Sequence, residues 1–259
     1  MEKTDVKRLS LIDSIRGITI ISMILYHFCW DLVYILGFNL QWFFEREALI
    51  WEQSICMSFI VISGFCAAFS KHTVTRGVKI FILGIIITIV TSLIIPENVI
   101  YFGILTLIGS AMFFTGVFKK ALIKIPSVLG VVLFFLLFVV TYKTGMGNLQ
   151  FFGKKLIELP RFLYRNYFTT YLGFKHEGFV SSDYFPIIPW MFLYLCGFYI
   201  SRIVLNEIEK GKKFCVLEKR IPIFDIIGRH ALIIYMLHQV VLYLISYVLM
   251  MFFHYYDMI

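Results

Sequence analysis

Charged residues are scarce in this sequence, and their scarcity excludes a soluble domain. Only 15% of the 259 residues are charged, whereas 60% are hydrophobic and 28 are phenylalanine. A soluble domain of this length could not bury so much apolar surface, so the composition indicates an integral membrane protein in a lipid bilayer. The net charge of +8 lies mostly beside apolar runs, which favours membrane topology over nucleic-acid binding as its explanation.

The sequence also lacks the motifs of several enzyme and metal-binding classes. Its five cysteines form no C-x-x-C pair and four lie in apolar runs, so we expect neither a disulfide framework nor a metal site. There is no Walker loop, H-E-x-x-H, G-x-S-x-G or dinucleotide fingerprint. No small-residue cleavage site follows the first apolar run, which predicts an uncleaved first helix instead of a signal peptide.

Seven apolar runs approach the length that a membrane span requires, roughly 20 mostly apolar residues. The candidate spans are about 15–36, 49–70, 77–95, 99–118, 125–142, 186–205 and 230–252. The sequence therefore predicts an all-α polytopic membrane helical bundle with about seven transmembrane helices, forming a single domain over residues 1–259.

Lysine and arginine predict the direction of the chain, because cytoplasmic loops carry an excess of them. With the N-terminus inside, the inner loop 202–229 alone holds seven, whereas the two short outer loops hold only Arg46. The long outer segment 143–185 holds six, but long loops weigh less in this rule. We predict the N-terminus inside and the C-terminus outside.

Within the outer segment, residues 151–168 (FFGKKLIELPRFLYRNYF) alternate apolar and basic groups. The pattern fits a short amphipathic helix along the outer interface, broken near Pro160. It fits a partly ordered loop equally well.

Ionisable side chains occur inside the first and last predicted spans, where they are costly and rare. His27 and Asp31 are four residues apart and share one face of the first helix. An imidazole beside a buried carboxylate is suited to act as a general base, although such a pair could also serve only to lock helix packing. His238, followed by Gln239, lies in the last span.

The two histidines are predicted to lie at nearly the same depth. His27 follows Arg16 by 11 residues, and His238 follows Arg229 by 9. At about 1.5 Å per residue they reach depths of about 16 and 14 Å, near the midplane of a core roughly 30 Å thick. If the first and last helices are neighbours, the two side chains would line one cavity.

Other polar and aromatic residues at the ends of the spans are candidates for binding. Asp13 and Arg16 form either an ordinary interfacial ion pair or an anion site, and Arg229 and His230 lie at the inner edge of the last span. Trp190 lies at the proline-kinked outer mouth of the sixth span. It would either belong to the interfacial aromatic belt or hold a sugar ring.

Four segments of the chain resemble a known family. LSLIDSIRGITIISMILYHFCWDL is similar to the opening D-x-x-R-G … M helix of the heparan-alpha-glucosaminide N-acetyltransferase catalytic domain family, part of a wider group of multi-span membrane acyltransferases. FGILTLIGS, FPIIPWMFLYLCGF and IGRHALIIYMLHQVVL resemble later blocks of that family in the same order. The first and last blocks are the specific ones.

The resemblance implies that an acetyl or acyl group passes from acyl-CoA on the cytoplasmic side to a hydroxyl or amine, usually on a sugar or glycolipid that faces outward. Four residues fall on motif positions: Asp13, Arg16, His27 and His238. The inner basic surface, with Arg229 and His230, would suit the phosphates of CoA. Trp190 and Gln239 would contact the acceptor. A midplane histidine would deprotonate the acceptor or carry the acyl group.

Two departures from the family favour direct transfer with His27 as the base. Relatives often have histidine where this sequence has Thr106. Mammalian members are thought to use a histidine beyond the first span, but this chain has no histidine between residues 28 and 71. A route through an acyl-enzyme in that loop is therefore excluded.

Two other function classes compete with an acyltransferase. A small proton-coupled transporter would use His27, Asp31 and His238 as a proton relay, but no repeated half of the kind common in permeases is evident. A non-catalytic scaffold has no reason to hold histidines at equal depth. The compact chain without N-x-S/T sites looks bacterial, which places it in the cytoplasmic membrane. The sequence leaves a homo-oligomer open.

Overall fold

The computed structural model describes residues 9–212 and 214–257, with side chains described through residue 252. These residues form eleven α-helices: α1 Ser10–Tyr34, α2 Arg46–Phe69, α3 Thr73–Ile94, α4 Ile104–Val117, α5 Lys119–Leu122, α6 Ser127–Thr141, α7 Tyr167–Leu172, α8 Ile187–Glu209, α9 Cys215–Glu218, α10 Pro222–Arg229 and α11 Ala231–Asp257. Two short strands, β1 Asn148–Phe151 and β2 Lys154–Glu158, pair antiparallel. The predicted all-α class is therefore confirmed apart from this hairpin.

Six helices among the described residues are long and apolar enough to cross a membrane. They are α1, α2, α3, α6 with its following turn, α8 and α11. They correspond to six of the seven predicted spans, and the integral membrane class is confirmed. The predicted count of seven stays a prediction.

The remaining predicted span, 99–118, is a shorter helix in the structure. Here α4 has only 14 residues, or about 21 Å, because residues 99–103 are held outside it. The backbone N–H of Tyr101 donates to Ser181 Oγ at 3.0 Å, and that of Ile104 donates to Asp183 Oδ2 at 3.2 Å. Ser181 and Asp183 of the segment 143–185 thus hold the chain just before α4 and cap the N-terminus of this helix.

The outer segment contains the hairpin where an amphipathic helix was one of the two predictions. Residues 151–168 complete β1, form β2 and continue through a 3-10 turn to the start of α7, so the helix prediction was wrong. Alternation of apolar and basic residues has the period of a strand, not of a helix. The hairpin turn is made by Phe152 and Gly153, whose φ angles are 45° and 79°.

Contacts group the chain into two compact units. The terminal unit comprises the described residues of 1–59 and 213–259, with α1, the first part of α2, and α9 to α11. The central unit comprises residues 60–212. The single domain expected over residues 1–259 stays a prediction.

In the terminal unit, α10 packs on the N-terminal half of α1 through glycines. A Cβ atom added at Gly17 would lie 2.0 Å from the carbonyl oxygen of Phe224, and one at Gly228 would lie 1.8 Å from that of Asp13. The backbone N–H of Ile221 also donates to Ser14 Oγ at 3.2 Å. Two helix backbones therefore touch, which fixes the residues that α10 carries against α1.

Candidate active site

The first and last spans of the terminal unit are neighbours, which is the condition that the sequence analysis set for the two histidines to lie together. The rings of His27 on α1 and His238 on α11 have centroids 4.9 Å apart, with an angle of 55° between the ring planes. Both side chains are half-buried. The prediction that the two imidazoles meet is confirmed.

Hydrogen bonding indicates which nitrogen of His238 carries the proton. Its Nδ1 lies 2.5 Å from the carbonyl oxygen of Tyr235, and a carbonyl only accepts, so Nδ1 carries the proton of the neutral ring. The lone pair then lies on Nε2, which is buried and has no hydrogen-bond partner among the described residues. A buried acceptor without a partner is costly, and this one is ready to receive a proton or a donor.

Asp31 is fully buried, but its partners differ from the prediction. Gln239 Nε2 donates to Asp31 Oδ1 at 3.1 Å, and Ser246 Oγ donates to Oδ2 at 3.4 Å. Within the described residues no hydrogen bond or ion pair joins Asp31 to His27, so the predicted pair was wrong. The Asp31 carboxylate instead accepts hydrogen bonds from two side chains of α11. It therefore links α1 to α11 one helical turn from His27.

Arg16 and Asp13 form the ion pair predicted at the inner end of α1. Arg16 Nη1 lies 3.0 Å from Asp13 Oδ1 and donates to the carbonyl oxygen of Gly228 at 3.4 Å. That contact places the guanidinium beside Arg229, the next residue of α10. The side chain of Arg16 is 25% exposed.

A second inner ion pair includes a residue that the sequence analysis missed. Asp225 of α10 is fully buried, and its Oδ2 accepts from Arg229 Nη2 at 2.7 Å and Arg220 Nε at 2.6 Å. The spacing of Asp225 four residues before Arg229 was the signal available. Neighbouring His230 is exposed, and its Nδ1 lies 3.0 Å from the carbonyl oxygen of Ile226.

The sequence analysis also missed Tyr26 and Glu52 as candidate site residues. An ionisable residue inside a predicted span is itself a signal of a functional site. Tyr26 Oη donates to Glu52 Oε2 at 3.1 Å, and the Tyr26 ring meets that of His27 edge-on at 5.9 Å. Trp51 Nε1 donates to Ser22 Oγ at 2.8 Å. These contacts attach the start of α2 to α1 beside the histidine pair.

Trp190 lies in the central unit, packed among aromatic side chains. It is 7% exposed, and its ring centroid is 5.1 Å from that of Phe185 and 5.6 Å from that of Phe138. Thr106, at the position where relatives often have histidine, donates from Oγ1 to the carbonyl oxygen of Gly103 at 2.6 Å. No cluster of three His, Cys, Asp or Glu residues able to hold a metal occurs in the described part of the chain.

The comparisons with known proteins give one match. The model of the family described as "Heparan-alpha-glucosaminide N-acetyltransferase, catalytic" matches residues 8–240. No curated protein and no solved structure matches the chain. The matched range includes both histidines of the pair and both inner arginine–aspartate pairs.

Proposed function

Because the chain belongs to the heparan-alpha-glucosaminide N-acetyltransferase catalytic family, we propose that it moves an acetyl or acyl group from cytoplasmic acyl-CoA to a hydroxyl or amine of an outward-facing sugar or glycolipid. The family and the six apolar helices make the chain an integral membrane protein of acetyltransferase type. The donor, the acceptor and the catalytic residues belong to the proposal.

The proposed topology puts the N-terminus inside and the C-terminus outside, in a bacterial cytoplasmic membrane. Its support is the excess of lysine and arginine in the inner segments. In this arrangement α4 and the extended residues 99–103 together make the seventh crossing. The inner arginines then face the compartment that contains acyl-CoA.

The observation that carries the proposal is the contact between His27 and His238, whose ring centroids are 4.9 Å apart. His27 acts as the general base and takes the proton of the acceptor hydroxyl or amine as it attacks the thioester carbonyl. A bond from the acceptor to the acyl carbon forms, the carbon–sulfur bond breaks, and the proton passes from His27 to the leaving thiolate. His238 Nε2 accepts a hydrogen bond from the reacting groups.

Three arginines would hold the phosphates of the donor. Arg16, Arg229 and Arg220 have side chains that are 25%, 35% and 49% exposed. Asp13 and Asp225 orient them through the ion pairs described above. A guanidinium binds phosphate through two parallel hydrogen bonds, so the residues present fit this group. His230, exposed beside them, is included in the proposed donor site.

Asp31 acts as a positioning residue in this proposal. Its carboxylate takes hydrogen bonds from Gln239 and Ser246, which keeps α11 in register with α1 and the two imidazoles together. Gln239 remains a proposed acceptor contact, and the role of Trp190 in holding a sugar ring stays a prediction from the sequence. Family membership supports an enzyme, and nothing comparable supports the alternative of a proton-coupled transporter.

The test is acyl transfer by the purified full chain. We expect wild-type protein to move label from radiolabelled acetyl-CoA to a member of a panel of amino sugars and membrane glycolipids. His27→Ala should lower the rate by about 10²–10⁴-fold, the range for loss of a general base. His72→Ala, which removes an exposed histidine in the central unit, is the matched control and should leave the rate unchanged.

Two outcomes would contradict the proposal. One is a wild-type protein that labels no member of the panel. The other is a His27→Ala protein that elutes as wild type from a sizing column and transfers label at the wild-type rate.

A further inference from the structure

A cavity of about 170 Å³ lies in the central unit where α3 begins and α4 ends. The residues that line it include two lysines, Lys71 and Lys119, and three residues with hydroxyl groups, Ser70, Thr73 and Thr75. Lys119 Nζ donates to the carbonyl oxygen of Ser70 at 3.4 Å, which holds this ammonium group at the cavity. Lysine and hydroxyl donors side by side suit an anion with several acceptor oxygens, such as a phosphate.

The positive charge around the cavity is not balanced by carboxylates of the same segments. Residues 70–79 and 116–124, which contain the whole lining, carry no aspartate or glutamate. They carry six basic residues: Lys71, Arg76, Lys79, Lys119, Lys120 and Lys124. None of the six forms an ion pair with another described residue. Clustered like charges repel one another, so a bound anion would stabilise this part of the protein.

The cavity lies at the level where a membrane span meets water. Helix α3 begins at Thr73 and is long and apolar enough to cross a membrane, so its first turn lies near the lipid head groups. Exposed apolar side chains follow on both helices, deeper than the cavity: Val78 and Ile82 of α3, and Phe113 and Phe114 of α4. A phosphate held by the two lysines would therefore have apolar surface below it for acyl chains.

We propose that this basic site, formed by Lys71, Lys119 and the hydroxyl groups between them, binds the phosphate of an anionic phospholipid. The inference does not depend on acyl transfer. Basic pockets between membrane helices on the cytoplasmic side are typical sites for anionic head groups, and the proposed topology puts this end of α3 on that side. A soluble phosphate compound would use the same lysines but not the apolar surface, which favours the lipid.

Two double variants remove the same amount of charge from different places. Lys71→Gln with Lys119→Gln, the site variant, removes two lysines that have no acidic partner. Lys210→Gln with Lys212→Gln, the control variant, removes two lysines of the same unit whose Nζ atoms already lie 2.8 and 2.6 Å from carboxylate oxygens of Glu207. Because both variants have the same net charge, a general attraction to anionic lipid weakens equally in the two.

The first readout is lipid binding by the detergent-purified full chain, measured by native mass spectrometry with dioleoylphosphatidylglycerol and dioleoylphosphatidylcholine. We expect wild-type protein to prefer the anionic lipid. The site variant should bind it at least tenfold more weakly, since each lysine beside an anionic head group contributes about fivefold. The control variant should bind it as wild type does, and Lys71→Arg with Lys119→Arg, which retains both charges, should do the same.

Two results of this readout would overturn the proposal. One is a wild-type protein without preference for the anionic lipid, a result that needs no variant. The other is equal weakening in the site variant and the control variant.

The second readout separates lipid phosphate from soluble phosphate. Coenzyme A and inorganic phosphate are added in turn to wild-type protein that already carries dioleoylphosphatidylglycerol. We expect neither compound to displace the lipid from the basic site. Displacement by either compound would identify a site for soluble phosphate and overturn the assignment to a phospholipid.

Discussion

At the scale of single residues, the hydrogen bonds of His238 indicate which of its two ring nitrogens carries the proton. His238 has its Nδ1 proton committed to the carbonyl of Tyr235, which leaves a buried Nε2 lone pair without a partner in the described structure. A buried acceptor without a partner costs about 1–3 kcal/mol, and a hydrogen bond from a bound substrate would remove that cost. The account assigns this nitrogen to the reacting groups.

Two substitutions of His238 separate its two nitrogens. The amide of Gln reaches as far as Nε2 and can present an oxygen acceptor there, whereas the amide of Asn reaches only as far as Nδ1. We expect His238→Gln to retain at least ten times the acetyl-transfer rate of His238→Asn, measured at saturating acetyl-CoA with matched thermal unfolding. Equal rates would show that the Nε2 acceptor is not needed.

At the scale of elements, the contact between α1 and α10 joins the two inner ion pairs. Gly228 lets the two backbones touch, and Arg16 donates to its carbonyl oxygen. Arg229 follows directly and bonds to Asp225. The proposed donor site thus depends on a close approach that only a residue without Cβ permits.

Gly228→Ala tests this dependence. The new methyl group would lie 1.8 Å from the carbonyl oxygen of Asp13, so the helices must separate, and such overpacking costs about 1–3 kcal/mol. We expect a lower midpoint of thermal unfolding and a higher KM for acetyl-CoA. Gly145→Ala is the control, since its nearest neighbour would be 3.9 Å away, an ordinary contact. A Gly228→Ala protein with wild-type stability and KM would contradict the packing account.

Also at the scale of elements, the sequence predicted those features that depend on local periodicity. The depth of His27 and His238 follows from helix rise alone, and the structure brings their rings together. The partner of Asp31 could not be predicted, because it depends on which donors α11 presents. The shortening of α4 depends on Asp183, 79 positions away. Contacts between distant residues leave no periodic signal in the sequence.

At the scale of the whole molecule, the account requires that donor and acceptor reach the histidine pair from opposite sides of the bilayer. Arg16 lies near the N-terminal end of α1, and His27 lies 11 residues, or about three turns, further along the same helix. A membrane protein built in this way can transfer an acyl group across the bilayer without moving either substrate through it.

The most direct measurement uses proteoliposomes with acetyl-CoA supplied only on the side of the N-terminus and an acceptor sugar enclosed on the other side. The account predicts that wild-type protein labels the enclosed sugar and that His27→Ala protein, reconstituted in the same orientation, does not. Label that appears only when donor and acceptor share one side of the membrane, or that persists in His27→Ala, would contradict it.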